Sequence, residues 1–201
     1  MSGPIEIGRL LRSSTAGFVV GCRVGQLDVP SFGALVRAPL GDDYQVYGLI
    51  HNIQVGDDGL VRQIVTAENV SPEVILDNRE RRIVPVELSV ATVGYERRGS
   101  MHHRLPPRPP VSLDVIYLCD DNDLKRFTSA GRCGYIRLLA GDADLPLAEL
   151  LAVHLQQARA AQNDGGAWRA AALHEIITQL GDDYALLTSV LRAVHEADPA
   201  S

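Results

Sequence analysis

Between residues 5 and 55 the chain holds four short β-rich runs with glycines inside them, and no other stretch constrains the fold as strongly. The runs open at Ile5, Thr15, Ala34 and Tyr44 and are parted by Ser, Gly, Asp and Pro, the spacing of a small antiparallel barrel. Gly8, Gly17, Gly21 and Gly48 interrupt them. A glycine inside a strand weakens it, so its usual meaning is a bulge or a bend where a sheet curls shut. In the second run, period two puts Phe18, Val20 and Cys22 toward a core. The fourth sets Val46, Gly48, Ile50 and Asn52 against Tyr47, Leu49, His51 and Ile53. It is apolar on both faces, which predicts a cover on its outer side.

The rest of the chain reads less regularly. Leu40, Gly41, Asp42 and Asp43 predict a hairpin turn, and Gly56, Asp57, Asp58 and Gly59 a second. A strand is expected over 61–65, and Ser71, Pro72 and Glu73 open a helical turn. A strong strand spans 83–95, with Pro85 placing its start at an edge or bulge. Residues 97–110 are basic and proline-rich, which predicts an extended strap. A strand over 111–119, a helix capped by Asp120 and reaching Ser129, and a last strand over 134–140 follow. After Gly141 the pattern becomes helical over 145–162, 167–180 and 183–197. The expected class is mainly β with α: a small closed antiparallel β-barrel with inserted helices over 1–141, then a three-helix C-terminal extension over 142–201.

Composition sets outer bounds. With 46% hydrophobic and 22% charged residues, near globular averages, composition argues against a disordered chain. A net charge of −6 argues against coating nucleic acid through the overall field, while leaving room for a local basic patch. Cys22, Cys119 and Cys133 are scattered, which fits a reducing compartment and offers no zinc motif. The first residues lack the pattern of an export signal and no apolar run is long enough to span a membrane, so a cytoplasmic location is expected.

The order of the early motifs carries a resemblance. Ile7, Gly8, Arg9 and Leu10 open the first strand, and Ser13, Ser14 and Thr15 follow. Then come Val19 and Val20, the run from Phe32 to Val36, and the strand from Val46 to Ile50. Together with Pro107, Arg108, Pro109, Pro110 and the run from Tyr135 to Gly141, they resemble the HAS-barrel of HerA-type DNA-translocating ATPases and rotary ATP synthase subunits. The likeness covers roughly the first 140 residues, the size of one domain. It implies a collar-like barrel that packs against copies of itself in a ring and, as in HerA, helps dock a NurA-like nuclease during DNA-end processing.

The phosphate loop of that family's ATPase half is not found in this sequence. That loop reads Gly-x-x-x-x-Gly-Lys-Ser/Thr, and the only lysine here, Lys125, has no glycine loop around it. Other chemistry is equally sparse. His174 and Glu175 start a zinc-helix pattern that lacks its second histidine, and His154, His174 and His195 fall one per tail helix. Paired acids such as Asp120 and Asp121 sit at turns and helix starts, where capping explains them. No catalytic, cofactor or metal residue is therefore assigned.

Two binding features remain. Arg97, Arg98, His102, His103, Arg104 and Arg108 form a basic cluster that reads either as a phosphate-contacting loop or as a solvated connector. Leu147, Leu151, Leu155, Trp168, Ile176, Leu187 and Leu191 lie on apolar helix faces suited to a partner or to the barrel itself. The expected function is a non-catalytic interaction or assembly protein. By resemblance it is an accessory subunit for a HerA-like ATPase or NurA-like nuclease in DNA repair, with homo-oligomers in view. The alternative is a small-barrel nucleic-acid-binding protein that uses the basic loop.

Overall fold

The computed structural model describes residues 4–23, 30–41, 43–56 and 85–197. The turn expected at 56–59, the strand over 61–65 and the helical turn at Ser71 lie outside these residues, apart from Gly56. Seven strands form one sheet: β1 (Glu6–Ser13), β2 (Gly17–Arg23), β3 (Leu35–Pro39), β4 (Tyr44–Val55), β5 (Pro85–Arg97), β6 (Ser100–His102) and β7 (Val115–Leu118). Their order is β2-β1-β7-β3-β4-β5-β6, and β2 also pairs with β5. That extra pairing closes six strands into a barrel and leaves β6 as a short hairpin arm on β5. All six neighbouring pairs around the barrel are antiparallel.

Closure depends on missing side chains. A Cβ on Gly8 would run into the carbonyl oxygen of Gly21 on β2, and one on Gly48 would run into Val90 on β5. Both are points where one strand's backbone crosses close to another, so any larger residue would force the wall open. Two register shifts between β4 and β5 add curvature. The shift at His51 turns Ile53 inward and Asn52 outward, so the alternation read from the sequence holds only as far as Ile50.

Barrel interior and barrel flank form separate cores. Inside lie aliphatic side chains including Leu10, Val20, Val36, Val46, Ile50, Leu88, Val90 and Ile116. On the flank, Leu35, Tyr47, Leu49, Ala91 and Val93 face outward into a layer of helices. The cover that the two-sided apolarity of β4 demanded is therefore part of the same chain.

Five α-helices build that layer among the described residues: α1 (Asp121–Ser129), α2 (Ile136–Ala140), α3 (Leu147–Ala160), α4 (Gly165–Leu180) and α5 (Tyr184–Glu196). The expected three-helix tail is thus three of five. The strand expected over 134–140 is instead α2, preceded by a 3-10 turn at Ala130–Cys133. Ile136 and Leu139 share an apolar side at helical spacing, and the flank gives them a helical surface to bury against. Asp120, Asp164 and Asp183 cap α1, α4 and α5 by accepting from the backbone N–H of Asp123, Ala167 and Leu186. The flank cluster runs without a break from Leu139 to Leu147, Leu150 and Leu151.

One buried polar chain pins this layer. His154 on α3 donates through Nδ1 to the Gly33 carbonyl (3.3 Å) and accepts the Tyr135 hydroxyl at Nε2 (2.9 Å). Burial, partly offset by the bond to Gly33, pushes the His154 imidazole down to about 4, so the ring is neutral with both nitrogens paired. Tyr135 in turn contacts Phe127 (ring centroids 5.3 Å apart), and Phe127 contacts Tyr47 on the barrel wall (4.9 Å).

Candidate nucleic-acid interface

The basic cluster does not form one loop. Residues expected in a strap from Arg97 onward are instead split between a hairpin and a crossing segment. Arg97 ends β5 and pairs with Ser100 of β6, with Arg98 and Gly99 as a two-residue turn at φ 51° and 75°. The chain then leaves β6 and crosses the barrel mouth, where β1 and β5 end and β4 and β7 begin. Along this crossing Pro106 and Pro110 are buried. The Tyr44 hydroxyl donates to the Arg108 carbonyl (3.2 Å), and Ser13 Oγ donates to the Pro110 carbonyl (2.6 Å). Proline fixes the extended path and these bonds tie it down.

Two tyrosines that the sequence pattern assigned to strands meet the strap here. The Arg108 guanidinium lies 5.2 Å from the Tyr44 ring centroid, and that of Arg104 lies 5.7 Å from Tyr95. Arg104 Nε also donates to the Tyr95 hydroxyl (2.9 Å). The two rings are 5.7 Å apart, and His102 packs tilted on Tyr95 with ring centroids 4.8 Å apart. Burial raises the Tyr44 hydroxyl pKa, while the charges of Arg108 and Arg97 pull the other way. Each cation–π contact at such a site contributes on the order of 0.5–1 kcal/mol and, more to the point, holds a guanidinium in place.

Ion pairing is uneven across the surface. Arg12 pairs with Glu87 (3.1 Å), Arg37 with Asp123 (3.1 Å) and Arg126 with Glu96 (2.7 Å). Exposed Arg132, Arg137 and Arg192 on the helical side have no carboxylate at ion-pair distance among the described residues. Among the described residues, Arg97, Arg98, Arg104 and Arg108 have no carboxylate at ion-pair distance, and all four are exposed. His103 departs from the group. Its Nε2 donates to the Phe127 carbonyl (3.0 Å), its ring packs on Phe127 and Tyr135, and burial lowers its pKa. Its Nδ1 has no hydrogen-bond partner and lies against Gly131, where a Cβ would come within 2.9 Å of it. Thus Arg97, Arg98, His102, Arg104 and Arg108 line one surface, whereas His103 anchors the strap to the helical flank.

The apolar helix residues sit elsewhere. Leu147, Leu151, Leu155 and Ile176 are buried in the core that the helices share with the barrel flank, and Trp168, Leu187 and Leu191 pack partly buried at its edge. Trp168 Nε1 donates to the Thr128 carbonyl (3.3 Å). As partner contacts these positions are corrected to interior ones for the buried four, because they fill a core made by the tail helices, α2 and the outward residues of the flank strands.

Other groups offer little chemistry. A groove of about 400 Å3 near the β1–β2 turn is lined by Ser13, Ser14 and His51, yet Ser14 Oγ accepts from the Ala16 and Gly17 N–H groups and shapes the turn. Among the described residues no serine or cysteine side chain hydrogen-bonds a histidine ring, and no group of three or more His, Cys, Asp or Glu could hold a metal ion. No described helix is long and apolar enough to cross a membrane. The arginine and tyrosine pairs carried no signal in the sequence, since Tyr44 and Tyr95 lie far from Arg104 and Arg108 in the chain or in a different element. No protein-family model matches this chain, and no curated protein matches it.

Proposed function

We propose that the protein is a non-catalytic binding module whose strap end holds the phosphate backbone of nucleic acid. The observation that carries this reading is the set of four exposed arginines clustered at one mouth without carboxylate partners, two of them held over tyrosine rings. A guanidinium fork fits phosphate oxygens, and one already fixed by stacking loses less freedom on binding. Because the chain as a whole is acidic, contact is confined to that end.

The test is fluorescence anisotropy with labelled single-stranded and duplex oligonucleotides across a salt series. Four phosphate contacts give a slope of log K against log salt near roughly −3 for a single strand. Changing Arg97, Arg98, Arg104 and Arg108 together to Ala should flatten the slope and abolish binding. Salt-independent binding, or full binding by that variant, would sink the reading.

A second reading is favoured by the closed six-stranded barrel, the shape that the HAS-barrel resemblance leads one to expect. In it the protein is an accessory or docking subunit for a HerA-like ATPase or NurA-like nuclease in DNA repair, assembled as a ring of copies. Sedimentation velocity of the full chain, alone and with such proteins, distinguishes the two. A monomer that binds neither at micromolar concentration leaves this second reading without support.

A further inference from the structure

At the same barrel mouth, the strap ends in a turn that holds apolar side chains out into solvent. Leu113 is 70% exposed and Val111 64%, and Leu11 on the neighbouring strand is 45% exposed. The turn is tightly built. Asp114 accepts the Val111 N–H on its carboxylate (2.7 Å), Leu113 N–H donates to the Leu10 carbonyl (2.8 Å), and Ser112 Oγ donates to the Leu11 carbonyl (3.3 Å). Arg9 Nη1 donates to the Leu113 carbonyl (3.2 Å). Leu113 adopts φ 73°, a left-handed conformation that a leucine enters only at a cost and that Asn or Gly takes readily.

Backbone strain and solvent-exposed leucine both oppose folding, yet this turn combines them at one residue. Such a combination persists where a binding event uses the protruding side chain. Charge identifies what it meets. Leu113 is five residues from Arg108, so at most about 18 Å of chain separates them. Among the described residues, Arg97, Arg98, Arg104 and Arg108 stand at the same mouth without carboxylates at ion-pair distance, while Arg9 at the turn itself has Glu6 at 3.9 Å. The excess of positive charge on the strap side suits a polyanion and opposes a basic partner. Apolar tips beside phosphate-binding arginines are how proteins enter a stack of bases, prying one step apart while the cations grip the backbone.

Resting on the reading of the arginine end as a phosphate-binding surface, the geometry points to Leu113, supported by Val111, as a wedge that inserts between stacked bases of the bound nucleic acid. The arginines supply affinity and the turn supplies local unstacking.

The experiment uses oligonucleotides carrying 2-aminopurine, whose fluorescence rises when it is unstacked, as a single strand and as a duplex. Wild-type protein should bind by anisotropy and raise the 2-aminopurine signal several-fold. The arm that responds, single strand or duplex, identifies the stack that is opened. Leu113→Asn should raise the melting temperature by relieving the strained φ, keep its affinity within a few-fold, and lose the fluorescence rise. Val111→Ser, which leaves the backbone strain in place, should reduce the rise without raising the melting temperature. Binding by wild type without any rise, or an undiminished rise with Leu113→Asn, overturns the wedge alone and leaves the knob facing protein. Absence of wild-type binding in both arms overturns the phosphate-binding reading and the wedge with it.

Discussion

The helical flank and the strap end of the barrel handle their awkward side chains in opposite ways. On the flank, most leucines and aromatics are covered by α1 to α5, with Ile177 and Tyr184 left outside, and the most deeply buried imidazole, His154, is paired at both nitrogens between Gly33 and Tyr135. At the strap end, arginines stand without carboxylates and leucine and valine stand in water. Both regions draw on the same residue types, so composition does not separate them. What separates them is clustering: only at the strap end, among the described residues, do several arginines without carboxylates stand on one surface beside exposed leucine and valine.

The contrast can be broken first at the flank. Leu151, fully buried on α3 in the flank core, should lose about 2–5 kcal/mol on change to Ala. The half-exposed Leu187 should lose markedly less, as measured by urea unfolding of each variant. Equal losses would mean that α5 is as deeply engaged as α3.

Acid should sharpen the same point. His154 sits at about 4 when folded and near 6.5 when unfolded. Between those values the unfolded chain binds more protons, so stability falls as pH drops from 6.5 toward 4 and is unaffected by this group above 6.5. The loss amounts to roughly 3 kcal/mol at most, and the His103 pKa, lowered by burial, acts in the same direction. Unfolding midpoints measured at intervals over that range should show the slope, and His154→Gln should flatten it. A flat wild-type profile would mean that the imidazole is not sealed from water.

The smallest effect belongs to the strap end. Arg104→Ala and Arg108→Ala should each cost only about 0.5–1 kcal/mol in thermal unfolding, the scale of an exposed cation–π contact. A loss as large as that of Leu151→Ala would make these arginines structural and remove them from any binding surface.

Much of the barrel was legible in the chain because strand alternation and turn residues are local signals. The β4 limits, the inward side of β2 and the Asp120 cap all follow from period and capping chemistry. The segment over 134–140 misled, since a short apolar run fits strand or helix equally and the flank surface chose helix. His51 misled in a smaller way, because one bulged residue reverses the facing of everything after it. Of the candidate interface, the arginines were visible as a cluster. Their stacking on Tyr44 and Tyr95 and the outward turn at Leu113 were not, as both depend on the strap crossing the barrel mouth.

By itself, then, the order of residues determined that a glycine-punctuated antiparallel barrel would form and that β4 would need covering on both sides, because those demands arise between near neighbours. Only the tertiary structure decided what met them. It turned the leucine-rich helices onto the barrel flank and left the arginines unpaired at its mouth, since burial and charge pairing depend on which distant segments come into contact.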